Sequence, residues 1–271
     1  MDTYDTLEVS VADKVAHVAL NRPEKSNAMN AAFWEECRRV FTWIDGEPGV
    51  RAVVLSGRGR HFSSGIDLEL LGGELNANPQ QEPGRRALAL RRLILRMQEA
   101  FNAIERCRVP VLAAIQGACI GGAVDMISSC DMRYSTASAF FSIKEVEVGL
   151  TADMGTLQRL PHIIGDGMMR ELAYTAREIT GKDAVEIGLV NRVYPDVEAL
   201  MEGVLGLART IAGKSPLAVQ GTKEMIRYTR DHSVADGLNY VATWNAGMLS
   251  TREIGEAVLA RMEKRDPVFE D

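Results

Sequence analysis

The sequence has few residues suited to metal or disulfide chemistry. Its 271 residues include only four cysteines and four histidines. The cysteines lie among apolar residues without C-x-x-C spacing, which predicts free buried thiols in a reducing compartment. They are Cys37, Cys107, Cys119 and Cys130. Because the sequence also contains no H-E-x-x-H or H-x-x-x-H pattern, we expect no zinc site.

Long apolar runs and a recognisable targeting segment are also missing. No stretch approaches the roughly 18 apolar residues that a membrane span needs. The N-terminal MDTYDTLEVS has no basic or apolar segment, and the C-terminal DPVFED is not of the Ser-Lys-Leu type, so we expect a cytoplasmic protein. The net charge of −6 disfavours a nucleic-acid partner but allows a small anionic ligand, which needs only a few local cations.

The residues that are present predict an α/β fold. Alternating apolar residues from Leu7 to Leu20 predict a β-hairpin, and short apolar runs predict four further strands, over 52–56, 111–115, 132–134 and 140–143. Helices are predicted between these strands, over 30–44, 85–106 and from about 117 to 130. Residues 72–84 are predicted to form a surface loop. After Gly149 the pattern is mainly helical, with segments over 154–163, 168–174, 181–187, 197–212, 217–229, 234–249 and 254–262.

Two loops share one design, since each follows a predicted strand and opens a helix. The first is FSSGIDL, residues 62–68, and the second is GACIGGAVD, residues 117–125. Each places unpaired backbone N–H groups at the start of a helix, where the helix dipole favours negative charge. Together the loops predict an oxyanion hole for a carbonyl oxygen. The alternative is that both are only tight turns. The second lacks the G-x-G-x-x-G spacing of dinucleotide loops, which disfavours a dehydrogenase.

Three carboxylates lie near the ends of the elements that converge on these loops. They are Asp125, one helical turn after Gly122, then Glu145 and Asp153. Each also has a purely structural interpretation. Asp153 is placed to cap a helix from Met154, and Asp125 to bind backbone groups.

These motifs, taken together, closely resemble the enoyl-CoA hydratase/isomerase (crotonase) superfamily. The segments are VALNRPEKSNAMN, FSSGIDL, SPLAVQGTKE and the run from GACIGGAVDMISSCD to EVGLTADMGTLQRLPHIIG. The resemblance spans nearly the whole chain. It implies a crotonase-like spiral of ββα units over residues 1–200 and a C-terminal helical oligomerisation region over 201–271. It also implies a homotrimer or homohexamer, an acyl-CoA thioester substrate, and no cofactor besides the coenzyme A of that substrate.

The resemblance also implies roles for individual residues. The amides of Ile66 and Gly122 match the pair that holds the thioester carbonyl. Further substrate contacts are expected from Lys25, a candidate for the phosphates of coenzyme A together with Arg22, although both cations have a plain surface interpretation. The loop over 72–84 and the following helix are expected to shape the acyl pocket. The expected contacts along the first loop are Ser64, Gly65, Ile66, Asp67 and Leu68.

The identities of the carboxylates distinguish branches of the superfamily. In the hydratase branch, glutamates match Asp125 and Glu145, and glycine typically matches Asp153. The aspartates here resemble the Δ3,5-Δ2,4-dienoyl-CoA isomerases of fatty acid β-oxidation. That resemblance implies that Glu145 and Asp153 transfer protons and that Asp125 supports them. The alternatives are an enoyl-CoA hydratase, a Δ3-Δ2-enoyl-CoA isomerase, or a non-catalytic binding protein on the same fold.

Overall fold

The computed structural model describes residues 3–74 and 81–270. Its strands are β1 (Leu7–Ala12), β2 (Val15–Leu20), β3 (Ala52–Gly57), β4 (Val111–Ile115), β5 (Ala118–Ile120), β6 (Met132–Thr136), β7 (Phe140–Ser142), β8 (Ile179–Thr180) and β9 (Arg192–Tyr194). Its helices are α1 (Ala31–Gly46), α2 (Leu68–Glu74), α3 (Pro83–Arg106), α4 (Gly122–Ser128), α5 (Thr156–Arg159), α6 (Pro161–Ile164), α7 (Asp166–Thr175), α8 (Gly181–Glu186), α9 (Val197–Ala212), α10 (Pro216–Thr229), α11 (Val234–Met248) and α12 (Thr251–Glu263). Short 3-10 helices cover Pro23–Lys25 and Glu145–Val148.

A six-stranded sheet forms the centre of the fold, in the order β1-β2-β3-β4-β6-β9. The predicted β1–β2 hairpin is antiparallel, with Leu7 opposite Leu20, and its turn residues Asp13 and Lys14 both have positive φ, as a two-residue hairpin turn of type I′ requires. The other neighbours in this sheet are parallel. A smaller sheet, β5-β7-β8, follows the carboxyl end of β4. Strands linked through helices confirm the predicted α/β class.

In the central sheet, strands β2, β3, β4 and β6 are buried almost throughout, because both faces of these inner strands are covered. This burial explains why β3 and β4 read as continuous apolar runs. On one face, α1 and α3 pack around Phe33, Trp34 and Phe101, whose ring centroids lie 5.3–6.4 Å apart. On the other face, α9 contributes Leu200 and Val204 to a second apolar cluster. The four cysteines are free and buried, as the sequence predicts.

Several predicted boundaries agree with the structure. Helix α1 begins after Asn30, whose side chain accepts a hydrogen bond from the Phe33 amide, and α9 and β4 have the predicted bounds. The single helix expected over 154–163 is instead two short helices, because Pro161 begins α6 directly after α5. Helix α5 begins at Thr156 after Gly155, so Asp153 precedes the cap and does not form it.

The loop expected over residues 72–84 differs from the structure at both ends. Helix α2 extends to Glu74 and α3 begins at Pro83. Residues 75–80 lie outside the described part of the chain. The division at residue 200 stays a prediction, and α9 runs across that position. No helix within the described ranges has the length and apolar character needed to cross a bilayer.

The aromatic core predicts a strong dependence of stability on Phe101, which is fully buried. Replacing a buried phenylalanine with alanine removes packing contacts and leaves a cavity. We expect Phe101→Ala to lower the free energy of unfolding by about 3–5 kcal/mol, measured by chemical denaturation. Leu88→Ala on the same helix is the control, because Leu88 is 47% exposed. Equal losses in the two variants would contradict this packing.

Candidate active site

The two glycine-containing loops lie side by side, joined by backbone hydrogen bonds. The Ser63 amide donates to Ala118 O at 3.0 Å, and the Ile120 amide donates to Ser63 O at 3.2 Å. The first loop is also tied to Met29, whose amide donates to Gly65 O at 2.8 Å and whose carbonyl accepts from the Asp67 amide at 3.0 Å. These short ladders fix the direction of both loops before their helices begin.

The amides of Ile66 and Gly122 are brought close together by these loops. A Cβ placed on Gly122 would lie 3.6 Å from Ile66 N, and a Cβ on Gly65 would lie 3.3 Å from Gly122 N. Neither amide donates a hydrogen bond within the described ranges of the chain. Two free N–H groups at this spacing suit an oxygen that gains negative charge.

Glu145 lies against the second loop. It opens the 3-10 helix after β7, and a Cβ placed on Gly121 would lie 3.4 Å from Glu145 Oε1. Its Oε2 is buried and has no hydrogen-bond partner among the residues the structure describes. Burial, and secondarily the nearby Asp125 carboxylate, raise the pKa of Glu145 to about 7. The group therefore exchanges protons near neutral pH, which suits general acid–base catalysis.

Asp125 is the most deeply buried of the three carboxylates, at 1% exposed. The Thr156 amide, at the start of α5, donates to Asp125 Oδ1 at 2.6 Å. Burial raises the pKa of Asp125 to about 6, against the opposing effect of Thr156. The hydrogen bond from the Thr156 amide confirms that Asp125 binds a backbone group. The same carboxylate also lies close enough to Glu145 to raise its pKa.

Asp153 lies on the turn that connects the Glu145 helix to α5. Asp153 is exposed and is among the residues that line a cavity of about 540 Å³ between α3 and α5. Although the residue is exposed, the protein around its carboxyl group removes part of its hydration and so raises its pKa. The charge of Asp153 in turn raises the pKa values of both Asp125 and Glu145. The structure thus brings the three predicted carboxylates into one electrostatic cluster, in which like charges disfavour full ionisation. Glu147, by contrast, is exposed and pairs with Lys144.

The other residues predicted to contact substrate have mixed surroundings. Asp67 is engaged by the protein itself, since its carboxylate accepts from Arg22 Nη1 at 3.1 Å and from the Glu69 amide at 3.2 Å. Arg22 Nη1 also donates to Ala28 O at 2.6 Å, so this guanidinium already holds the first loop. Lys25 is exposed in the neighbouring turn.

Along the first loop, exposure changes from residue to residue. Ser64 is exposed while its amide donates to Ser26 O at 2.9 Å. Gly65 is buried, Ile66 is half-buried, and Leu68 is 71% exposed. Only parts of this loop are therefore accessible to a ligand.

Sequence reasoning did not find the residues that hold the carboxylates in place. Gln98 Nε2 donates to the main-chain oxygen of Asp153 at 2.6 Å, and Arg159 Nη1 donates to Met154 O at 3.2 Å. The Gln98 contact joins residues 55 positions apart, and the Arg159 contact depends on a turn without regular periodicity. No local sequence pattern therefore indicates either contact. Residues 3–74 and 81–270 include no group of three or more His, Cys, Asp and Glu side chains suited to a metal ion.

Comparison with known proteins identifies relatives over almost the full chain. The profile of the enoyl-CoA hydratase/isomerase family matches residues 10–271. The mitochondrial Δ3,5-Δ2,4-dienoyl-CoA isomerase of Rattus norvegicus is 51% identical over 97% of this chain and 81% of its own length. The peroxisomal Δ3,5-Δ2,4-dienoyl-CoA isomerase of Arabidopsis thaliana is 47% identical over 99% of this chain and 98% of its own.

Solved structures confirm the predicted crotonase fold. An enoyl-CoA hydratase from Bacillus anthracis superposes with a TM-score of 0.88, at 31% identity, over 98% of this chain and 99% of its own. The resemblance stated from the sequence is therefore confirmed for both the superfamily and the isomerase branch.

The expected cytoplasmic location is wrong, because the isomerase relatives are named mitochondrial or peroxisomal. Composition and the lack of a recognised targeting pattern do not specify a compartment.

The carboxylate cluster predicts how stability depends on pH. Glu145 has a folded pKa of about 7 against an ordinary value of 4.5, so its contribution is present below pH 4.5 and is lost as the pH rises through 7. The Asp125→Asn variant lacks the titrating carboxyl group of Asp125 and also the negative charge that raises the pKa of Glu145. We expect the variant to lose less unfolding free energy than the wild type between pH 4.5 and 8, measured by urea denaturation.

The exposed Glu147 provides the control for this comparison, since Glu147→Gln removes one negative charge two residues from Glu145. Its pH dependence should follow that of the wild type. If Asp125→Asn and the wild type lost the same stability over this range, both the raised pKa of Asp125 and its electrostatic coupling to Glu145 would be disproved.

Proposed function

Because the chain belongs to the enoyl-CoA hydratase/isomerase family, we propose that it isomerises a 3,5-dienoyl-CoA to the conjugated 2,4-dienoyl-CoA. The observation that carries this proposal is the cluster of Asp125, Glu145 and Asp153 beside two free backbone amides. Relatives about 50% identical to this chain bear the name of that isomerase. The proposed place of the reaction is fatty acid β-oxidation.

In the proposed reaction the thioester carbonyl oxygen binds the amides of Ile66 and Gly122. Loss of a proton from C2, beside the thioester, places negative charge on this oxygen and forms an extended dienolate. The two N–H groups bind that charge more strongly than they bind the neutral carbonyl, which lowers the barrier. In other enzymes, removing one such donor costs about 2.7–4 kcal/mol of transition-state stabilisation.

Glu145 and Asp153 are the proposed acid/base pair. The proton lost from C2 must be balanced by a proton gained at C6, four carbons along the chain, and two groups at opposite ends of the dienolate reach both positions. One carboxyl must be ionised and the other protonated when substrate binds. Burial and mutual repulsion favour such mixed protonation near neutral pH. Asp125, fixed by the Thr156 amide, is proposed to orient the pair and to modulate its charge.

The proposed reaction needs no redox cofactor, because it moves a proton and two double bonds within one molecule. Coenzyme A is part of the substrate. We propose that the backbone from Ser64 to Leu68 and Gly122 contacts the thioester and pantetheine portion, and that Lys25 contacts a phosphate. Lys25 is exposed, whereas the neighbouring Arg22 is already paired with Asp67.

We further propose that the chain forms a homotrimer or a homohexamer through its C-terminal helices. Large apolar side chains on α10 and α12 are exposed in the single chain, with Ile226 70%, Val258 55% and Met262 77% exposed. Apolar surface on this scale is typical of subunit contacts. No membrane or nucleic-acid partner is proposed.

The isomerase proposal predicts conversion of 3,5-dienoyl-CoA substrates of several chain lengths, followed by ultraviolet absorbance as the diene becomes conjugated with the thioester. Asp153→Asn and Glu145→Gln should each lower kcat by about 10²–10⁴, the usual contribution of a positioned acid or base. Glu147→Gln, an exposed neighbour of Glu145, should retain activity.

Hydration of a 2-enoyl-CoA by the same preparation separates the isomerase from its hydratase relatives. Fast hydration together with an unchanged Asp153→Asn variant would exclude the isomerase. The absence of any spectral change across the chain lengths would favour a binding protein.

The oligomer proposal predicts a solution mass of three or six times 29.7 kDa, measured by light scattering after size exclusion. Charge placed on the apolar face, in a Val258→Glu and Met262→Glu double variant, should lower that mass. Two exposed arginines on the same helix provide the control, with Arg252→Gln and Arg261→Gln changed together, because this variant changes the net charge by the same amount. A monomeric wild type would contradict the proposal.

A further inference from the structure

The turn that carries Asp153 is bound to α3 from one side. Gln98, in the middle of α3, donates through Nε2 to the main-chain oxygen of Asp153 at 2.6 Å. This hydrogen bond is made to the main chain of Asp153 and does not involve its carboxylate. The residue proposed to transfer a proton is therefore located by a side chain from another helix.

A second side chain, Arg159, holds the next two residues of the turn. Arg159 is buried, at 8% exposed, and its Nη1 donates to Met154 O at 3.2 Å. Gly155 has a φ of +123°, and a Cβ at this position would collide with the Arg159 guanidinium. Glycine is thus required here both for its backbone conformation and for the close approach of the arginine.

Arg159 is itself anchored to α3. Its Nη2 donates to Glu105 Oε2 and to Asn102 Oδ1, both at 2.9 Å, and Glu105 also pairs with Arg230 at 2.7 Å. Gln98, Asn102 and Glu105 are spaced four and three residues apart, so they share one face of the helix. That face of α3 therefore binds the turn from Asp153 to Gly155, directly through Gln98 and indirectly through Arg159. The amide that follows the turn, Thr156 N, donates to Asp125.

We propose that Gln98 and Arg159 are positioning residues that fix the reach of Asp153 relative to Glu145. The proposal rests on the proposed isomerase function and adds to it the element that sets the spacing of the two proton-transfer groups. Because proton transfer requires hydrogen-bond distance to the reacting carbon, a displacement of about 1 Å in the turn costs up to about 10²-fold in rate.

The test is Gln98→Met, which removes the donor while keeping a side chain of similar length. We expect kcat to fall about tenfold or more, with KM changed by less than about twofold, because the binding amides are untouched. Arg159→Lys, which keeps the charge but lacks the planar fork, should act in the same direction. Arg96→Gln, an exposed position on the same helix, is the control and should match the wild type in both constants.

Exchange in D₂O separates this role from general damage to the fold. Deuterium entering the 3,5- and 2,4-dienoyl-CoA is followed by NMR at both reacting carbons. In Gln98→Met, exchange at the carbon served by Glu145 should persist, while exchange at the carbon served by Asp153 should slow as much as kcat does. Thermal unfolding of the variant should stay close to that of the wild type.

Equal slowing at both carbons would overturn the positioning role, since it would indicate nonspecific disruption. A Gln98→Met enzyme with unaltered kcat, alongside an active wild type, would overturn this proposal alone. A wild type unable to isomerise any 3,5-dienoyl-CoA would overturn the proposed function and this inference together.

Discussion

The backbone pairing of the two glycine-containing loops is the constraint on which the site depends. Ser63 pairs with Cys119, and Met29 pairs with Ile66, so the two loops run parallel and end at the same place. Gly65 approaches the Ile120 carbonyl so closely that a Cβ would lie 2.5 Å from that oxygen. Any side chain at position 65 would separate the loops and with them the amides of Ile66 and Gly122. The pairing of these two amides therefore follows from main-chain geometry.

The second constraint is the crowding of acid groups around that main-chain frame. Asp125 and Glu145 are withdrawn from solvent, and each carries a pKa raised first by burial. In such surroundings a carboxyl group retains a proton at pH values where it would be ionised in water. Crowding of the three acidic side chains thus favours a mixture of protonated and ionised carboxyl groups near neutral pH. The net charge of the chain, −6, does not reveal this local arrangement.

Much of the fold was predictable because its signals are local. Asn30 caps α1 as expected, and the apolar run at β4 gives a strand with the predicted ends. Strands β5, β8 and β9 were not predicted, because each has only two or three residues and lacks the continuous apolar run that indicates the equally short β7. The helix expected from about 117 begins only at Gly122, after β5.

The site was predictable only as far as motifs extend. The motifs and the family resemblance located both loops and all three carboxylates. Gln98 and Arg159 were not predicted, because their contacts depend on how α3 packs against a distant turn. The alternative interpretation of Asp153 as a helix cap is wrong, because Gly155 delays the start of α5.

The burial of the four thiols has a consequence for the chemical durability of the protein. Burial raises the pKa of Cys107 to about 11 and that of Cys130 to about 12, and raises those of Cys37 and Cys119 as well. Peroxides and electrophiles react with the thiolate, which is scarce at neutral pH for such groups and is shielded by the surrounding chain. Oxidation of these cysteines therefore requires local unfolding, so the rate of thiol oxidation depends on the stability of the core.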